Sequence, residues 1–261
     1  MNKCKHLSVI QKVGVFAMCD LLNKVELELK KIYDSWELGN QYEANVDEYS
    51  AMFRMGYPEE FINSKKPLLM YIGKECRDCE PYKTQEWVRK YQWIQLHQTE
   101  IQGFSEKVRV FPYWRFYRDL AALGYDVLWN NLDKFHKNTK PASEQPLAVE
   151  HTVSLNQPFG KRNMSILQRE IDLIKPSVIV LTIGKGKYID SLATALSIDR
   201  KVLSLFQPTA DKPVQDISEI VNIPNTKVLW TYHPGFLCHN KNIYHETLVN
   251  IKEKLVPQVD I

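Results

Sequence analysis

Lys66-Pro-Leu-Leu-Met-Tyr-Ile-Gly-Lys-Glu75 is the stretch on which the fold turns. Leu68 to Ile72 is a short apolar run of the kind that makes a strand buried on both faces, and Gly73 ends it with a turn. A carboxylate, Glu75, follows at once. The same pattern of apolar run and abrupt polar punctuation returns three times: Val127-Leu-Trp into Asn130, Val178 to Ile183 into Gly184, and Val228 to Tyr232 into His233. In an open parallel sheet, ligands bind in the crevice beyond the carboxyl ends of the strands. Glu75, Asn130 and His233 are therefore expected to converge there.

Working outward, the segments between these runs have helical character. Asp20 can cap a helix to Trp36, with Leu21, Val25, Leu29, Ile32 and Trp36 at helical spacing. Residues 37–64 predict one or two short helices. Between Asp78 and Val110, Tyr82, Lys83, Trp87, Arg89, Lys90, Tyr91 and Trp93 form either a loop or helix at the mouth of the crevice or a set of packed surface aromatics. Pro112 opens a helix that Gly124 closes, and Ser165 opens one that Pro176 stops. Residues 138–160, with Pro141, Pro146 and Pro158, have no sustained period and read as a flap or a wall. Helices over Tyr188–Leu196 and from about His245 to Leu255 complete the chain. Strand, helix, strand succession implies right-handed parallel crossovers and an α/β fold with four strands.

The chain has 261 residues, 44% hydrophobic and 25% charged, enough for one sizeable core and a single domain over 1–261, with 1–65 a helical extension packed on it. Its 34 Lys and Arg against 31 Asp and Glu give +3, which neither demands nor excludes a polyanionic partner. No run approaches the roughly 18 apolar residues of a membrane helix, and the N-terminus lacks the apolar core of a signal peptide, so a cytoplasmic monomer with no membrane partner is expected. Five cysteines, an odd number, point to reduced thiols. Cys76 and Cys79 form a C-x-x-C that suits a redox pair or half of a metal site, but no second half exists in the sequence, and no metal is expected.

Three of these motifs, in order over most of Pro67–Asn240, resemble the uracil-DNA glycosylase superfamily. They are Gly73-Lys-Glu75-Cys76, then Val127-Leu-Trp-Asn130 with Asn131 as a register alternative, and then His233-Pro-Gly235. The resemblance implies a three-layer α/β/α sandwich around a four-stranded, mainly parallel sheet. It also implies hydrolysis of the N-glycosidic bond of a deaminated or modified pyrimidine in DNA, without metal or organic cofactor. Glu75 and His233 are the implied catalytic residues. Gly73, Lys74, Asn130, Asn131 and Arg77 are the implied base-binding residues. Leu237, four residues after the histidine, is the implied side chain inserted into DNA, with Phe236 its neighbour. Cys76 stands where the family commonly has Pro, Gly235 where it has Ser, and Arg77 where uracil-specific members carry a Tyr that crowds out a 5-substituent. A bulkier base is thereby admitted, and with it a role in defence against phage DNA as well as in repair.

The chemistry agrees with these residue types. Breaking the bond builds positive charge on the sugar and negative charge on the departing base. Glu75 can stabilise the cation and orient water, His233 can donate to a base carbonyl, and an Asn amide can read a pyrimidine edge. A base in a duplex must first be flipped, and Leu237 or Phe236 can fill the gap or simply pack under the loop. Lys134, His136, Lys137, Lys161, Arg162, Lys185 and Lys187 follow strand ends, as phosphate contacts or as solvated charges. A catalytically silent nucleic-acid or nucleotide-binding member is the alternative.

Overall fold

A computed structural model describes residues 24–75, 84–97, 111–137, 147–186 and 188–255. Five strands form one sheet: β1 (Leu68–Glu75), β2 (Asp126–Asp133), β3 (Val178–Leu181), β4 (Val214–Asp216) and β5 (Lys227–Thr231). Their order is β2-β1-β3-β5-β4. β1 pairs parallel with β2 and β3, β3 pairs parallel with β5, and β4 runs antiparallel to β5. The fold is α/β with a mixed, mainly parallel sheet, and the expected count of four strands is corrected to five. β4 was missed because an edge strand paired on one side needs few residues, and its three leave no period to read. Thr231 helps to hold it, donating its hydroxyl to the Pro213 carbonyl at 2.8 Å.

Leu69, Met70, Tyr71 and Ile72 of β1 are wholly buried between two neighbouring strands, as a continuous apolar run demands. Each such side chain stabilises the fold by about 1.5–3 kcal/mol on burial. The chain leaves β1 towards β2 on one side and returns past β1 to β3 on the other, so the sheet reverses its winding at β1 and β3. The carboxyl ends of these strands bound the crevice.

The helices follow their punctuation. Residues 24–34 are helical, with Leu29, Tyr33 and the following Trp36 in the core, so the described part of the N-terminal extension packs into the domain. Helices Glu37–Ala44, Gln85–Leu96 and Val149–Leu155 form in segments whose periods were weak. Pro112 occupies the first turn of helix Pro112–Ala121, and Gly124, at φ +95°, closes that end. Ser165 and Gln168 make a capping box on Ile166–Ile174. The last helix, Lys241–Leu255, begins a turn before the expected His245.

Edge strand β2 is covered. Gln92 of helix Gln85–Leu96 accepts the Trp129 N–H at 2.6 Å and donates to the Gly56 carbonyl at 2.8 Å. Just beyond it, Phe53 N–H donates to Lys134 O at 2.8 Å and Ser50 N–H to His136 O at 3.0 Å. These backbone groups, along and just beyond the edge, are satisfied by the protein itself.

Candidate active site

Gly73, near the carboxyl end of β1, lies in register with Asn131 of β2. A Cβ on Gly73 would stand 2.6 Å from the Tyr113 hydroxyl and 2.8 Å from Asn131 Oδ1, closer than side chains tolerate. Only glycine lets these two groups approach the strand. Tyr113 comes from the first turn of helix Pro112–Ala121, and its ring centroid is 6.4 Å from that of His233, at 33°. Four groups, Gly73, Tyr113, Asn131 and His233, therefore meet where the sheet reverses its winding. The Tyr113 ring is half-buried while its hydroxyl is buried and has no hydrogen-bond partner of good geometry among the described residues. Burial pushes its phenol well above the ordinary range, so it remains a neutral donor near pH 7.

His233 caps helix Pro234–His239, its Nδ1 accepting the Gly235 N–H at 3.1 Å. An acceptor at Nδ1 puts the proton of the neutral ring on Nε2, the correct form for a donor to an oxyanion. Gly235 favours this closure, since a Cβ there would sit 3.0 Å from Nδ1. On the other side Gly184, at φ +70°, lies against the His233 backbone, and its carbonyl accepts from Trp230 Nε1 at 2.8 Å. The ends of β3 and β5 are tied together by these contacts.

Asn130 and Asn131 are both buried, at 0% and 1% exposure. Asn130 Nδ2 donates to Glu170 Oε2 at 2.9 Å, and its Oδ1 accepts the Lys134 ammonium at 2.5 Å and the Asn131 N–H at 2.8 Å. The register alternative Asn131 is the one beside Gly73, its Oδ1 accepting from Trp129 Nε1 at 3.3 Å. Lys134, expected at phosphate or as a solvated charge, is neither: its ammonium is buried 2.8 Å from Glu170 Oε2. Glu170 also accepts from the Tyr33 hydroxyl at 2.5 Å, and that hydroxyl accepts the Met55 N–H at 2.8 Å. Burial lowers the Lys134 pKa against the opposing pull of Glu170 and Asp133, and raises that of Tyr33. His136 is likewise buried.

Leu237 is 0% exposed in the core, whereas Phe236 is 45% exposed and packs on Tyr232 with centroids 4.6 Å apart. Neighbouring positions on a helix are turned about 100° from each other, so one can be buried and the next exposed. Lys74 places its ammonium 5.0 Å from the Tyr188 ring centroid. Glu75 ends β1 with its Cα in register with Asp133. Asp133, which the sequence reading passed over, is buried and accepts from Asn156 Nδ2 at 3.2 Å. Its signal was the alternation Asn131, Asp133 along the strand. Lys137, Lys161 and Lys185 are exposed, while Arg162 pairs with Asp172 at 3.1 Å. The expectations for Cys76, Arg77, Cys79 and Lys187 lie outside the described residues. Among the described residues no cluster of His, Cys, Asp or Glu could hold a metal ion, and no helix is long and apolar enough to cross a membrane.

Around Gly73 stand the buried Tyr113 phenol and the buried Asn131 amide, with the His233 ring beside Tyr113 and Glu75 two residues further along β1. No protein-family model matches this chain, and no curated protein sequence matches it.

Proposed function

We propose that the chain is a divergent member of the uracil-DNA glycosylase superfamily, a three-layer α/β/α enzyme that hydrolyses the N-glycosidic bond of a deaminated or modified pyrimidine in DNA. The observation that carries this reading is the meeting of Gly73, Tyr113, Asn131 and His233 at the carboxyl ends of β1, β2 and β5. A flipped base rests over Gly73, with Asn131 reading its edge and Tyr113 beside it. As the bond to the sugar breaks, the electron pair leaves with the base, and His233 Nε2–H donates to the carbonyl oxygen where that charge collects. Glu75 balances the sugar cation and takes the proton of the water that adds at the sugar carbon, leaving an abasic site. Substrates are bases in damaged DNA or in phage DNA that carries modified pyrimidines.

The test is incubation with single-stranded and duplex DNA carrying uracil, 5-hydroxymethyl and larger 5-substituted pyrimidines, followed by alkaline cleavage at abasic sites. Strand breaks at one of these bases, lost in Glu75→Gln and His233→Ala, support the reading. Tight binding of DNA with no release of any base by the unaltered protein would replace it with a silent binding member of the same fold.

A further inference from the structure

Outside the crevice, a groove of about 600 Å³ runs between helices Pro112–Ala121 and Lys241–Leu255, with Cys238 of helix Pro234–His239 at its side. Lys241, Tyr244, His245 and Leu248 line it at the spacing of one helical face. The Tyr244 ring is its wall, and Arg115 lays its guanidinium over that ring, 5.0 Å from the centroid. Arg115, Lys241 and His245 are exposed, and among the described residues none of the three forms an ion pair. Other exposed cations, such as Lys201 and Lys212, also lack a carboxylate partner among the described residues, so it is the placing of Arg115 and Lys241 in one groove beside an aromatic ring that marks this surface. The one acid in the groove, Asp119, is occupied by the Tyr244 hydroxyl.

This groove and the crevice share two helices. Helix Pro112–Ala121 carries Tyr113 in the site and Arg115 in the groove, and helix Pro234–His239 is capped by His233 and carries Cys238. Exposed Phe236 lies on that same short helix. Two cations in one groove, Arg115 over the Tyr244 ring and Lys241, with the aliphatic Ala122 and Leu248 also lining it, suit a chain of phosphates joined by sugars. We infer that this groove binds the phosphodiester backbone of the strand flanking the flipped nucleotide, an inference that rests on the DNA-acting reading of the crevice.

The test uses the full chain and fluorescein-labelled single-stranded and duplex oligonucleotides, with anisotropy followed across a salt series. Arg115→Gln with Lys241→Gln removes two phosphate contacts, so the slope of log affinity against log salt falls by roughly 1.4–1.8 and affinity near 0.1 M salt drops roughly ten- to a hundredfold. Lys252→Gln with Lys254→Gln, the same charge change at the far end of the helix, leaves the slope within experimental error. Equal slopes for the unaltered protein and the groove variant would overturn the groove, as would an equal loss in the control pair. Displacement of DNA by inorganic phosphate beyond that caused by chloride at matched ionic strength would reassign the groove to a free anion. If the unaltered protein binds no oligonucleotide at all, the reading of the crevice fails first. A melting curve for each variant separates these outcomes from unfolding.

Discussion

Replacing Lys134 by Met keeps the length of the side chain but leaves the Glu170 carboxylate wholly buried, with only Tyr33 and Asn130 as donors. Breaking a buried pair from one side costs about 3–5 kcal/mol, because the remaining charge has neither water nor a counter-ion. At about 2–4 °C per kcal/mol for a chain of this size, the melting midpoint falls by about 6–20 °C. Glu170→Gln alone should be similarly harmful, since it strands the ammonium. The double variant removes both charges, while the carboxamide placed at position 170 can still accept from Asn130 or Tyr33. Its cost should be about 1–3 kcal/mol, the price of imperfect hydrogen bonding. Urea unfolding at pH 7 of the four proteins gives the coupling directly. A Lys134→Met cost under about 1 kcal/mol, or a double variant whose cost equals the sum of the singles, would refute a charged buried pair.

Gly73→Ala drives a methyl into the Tyr113 hydroxyl and Asn131 Oδ1 and should lower base release by roughly a hundredfold, in line with one lost electrostatic contribution; adding Tyr113→Phe should recover part of the loss, and single-turnover rates on the released base decide it. Leu237→Ala should destabilise the protein by about 2–5 kcal/mol, as a core deletion does, which urea unfolding will measure. Phe236→Ala should leave the melting midpoint unchanged and slow cleavage of paired duplex more than of single strands, and equal slowing of both would exclude it as a wedge. Burial raises the pKa of Asp216, but bonds from Lys227 and Ser218 outweigh it and hold the carboxyl below its ordinary value. A depressed folded pKa contributes stability above the unfolded value that is lost as pH falls through the folded one. Asp216→Asn should therefore cost roughly 0.2–1 kcal/mol at pH 7, with the difference from the unaltered protein fading as pH falls below the ordinary carboxylate range, which melting curves taken through acid pH will check.

Four strands were legible because strands buried on both faces read as unbroken apolar runs, and their polar ends marked the crevice. The choice between Asn130 and Asn131 turns on geometry that the sequence leaves open. β2 continues to Asp133, and successive residues of a strand face opposite sides, so the two asparagines lie on opposite faces, and only the register with β1 puts Asn131 beside Gly73. Tyr113 was hidden among Trp114 and Tyr117, since helical spacing identifies a buried face but not which residue of the first turn overhangs a glycine on another element. Lys134 was read as a phosphate contact or a solvated charge because a lysine usually reaches water, and a partner 36 residues away on a helix leaves no local trace. Leu237 and Phe236 differ only in the direction each takes on one short helix, which the backbone fixes and the spelling does not.

The cover on β2 bears on how this protein stays dispersed. An open sheet exposes two lateral margins, and an uncovered margin is a template for self-association through strand addition. Gln92 and the segment around Ser50–Phe53 occupy the β2 margin with the molecule's own backbone and side chains. At the other margin β4 has only three residues, follows Pro213 and carries Asp216 bound to Lys227 at 2.6 Å, all features that discourage an incoming strand. Growth by sheet extension is thus blocked at one margin by occupancy and at the other by brevity and charge, so a Gln92 variant is the one from which fibrillar or amorphous precipitation is expected.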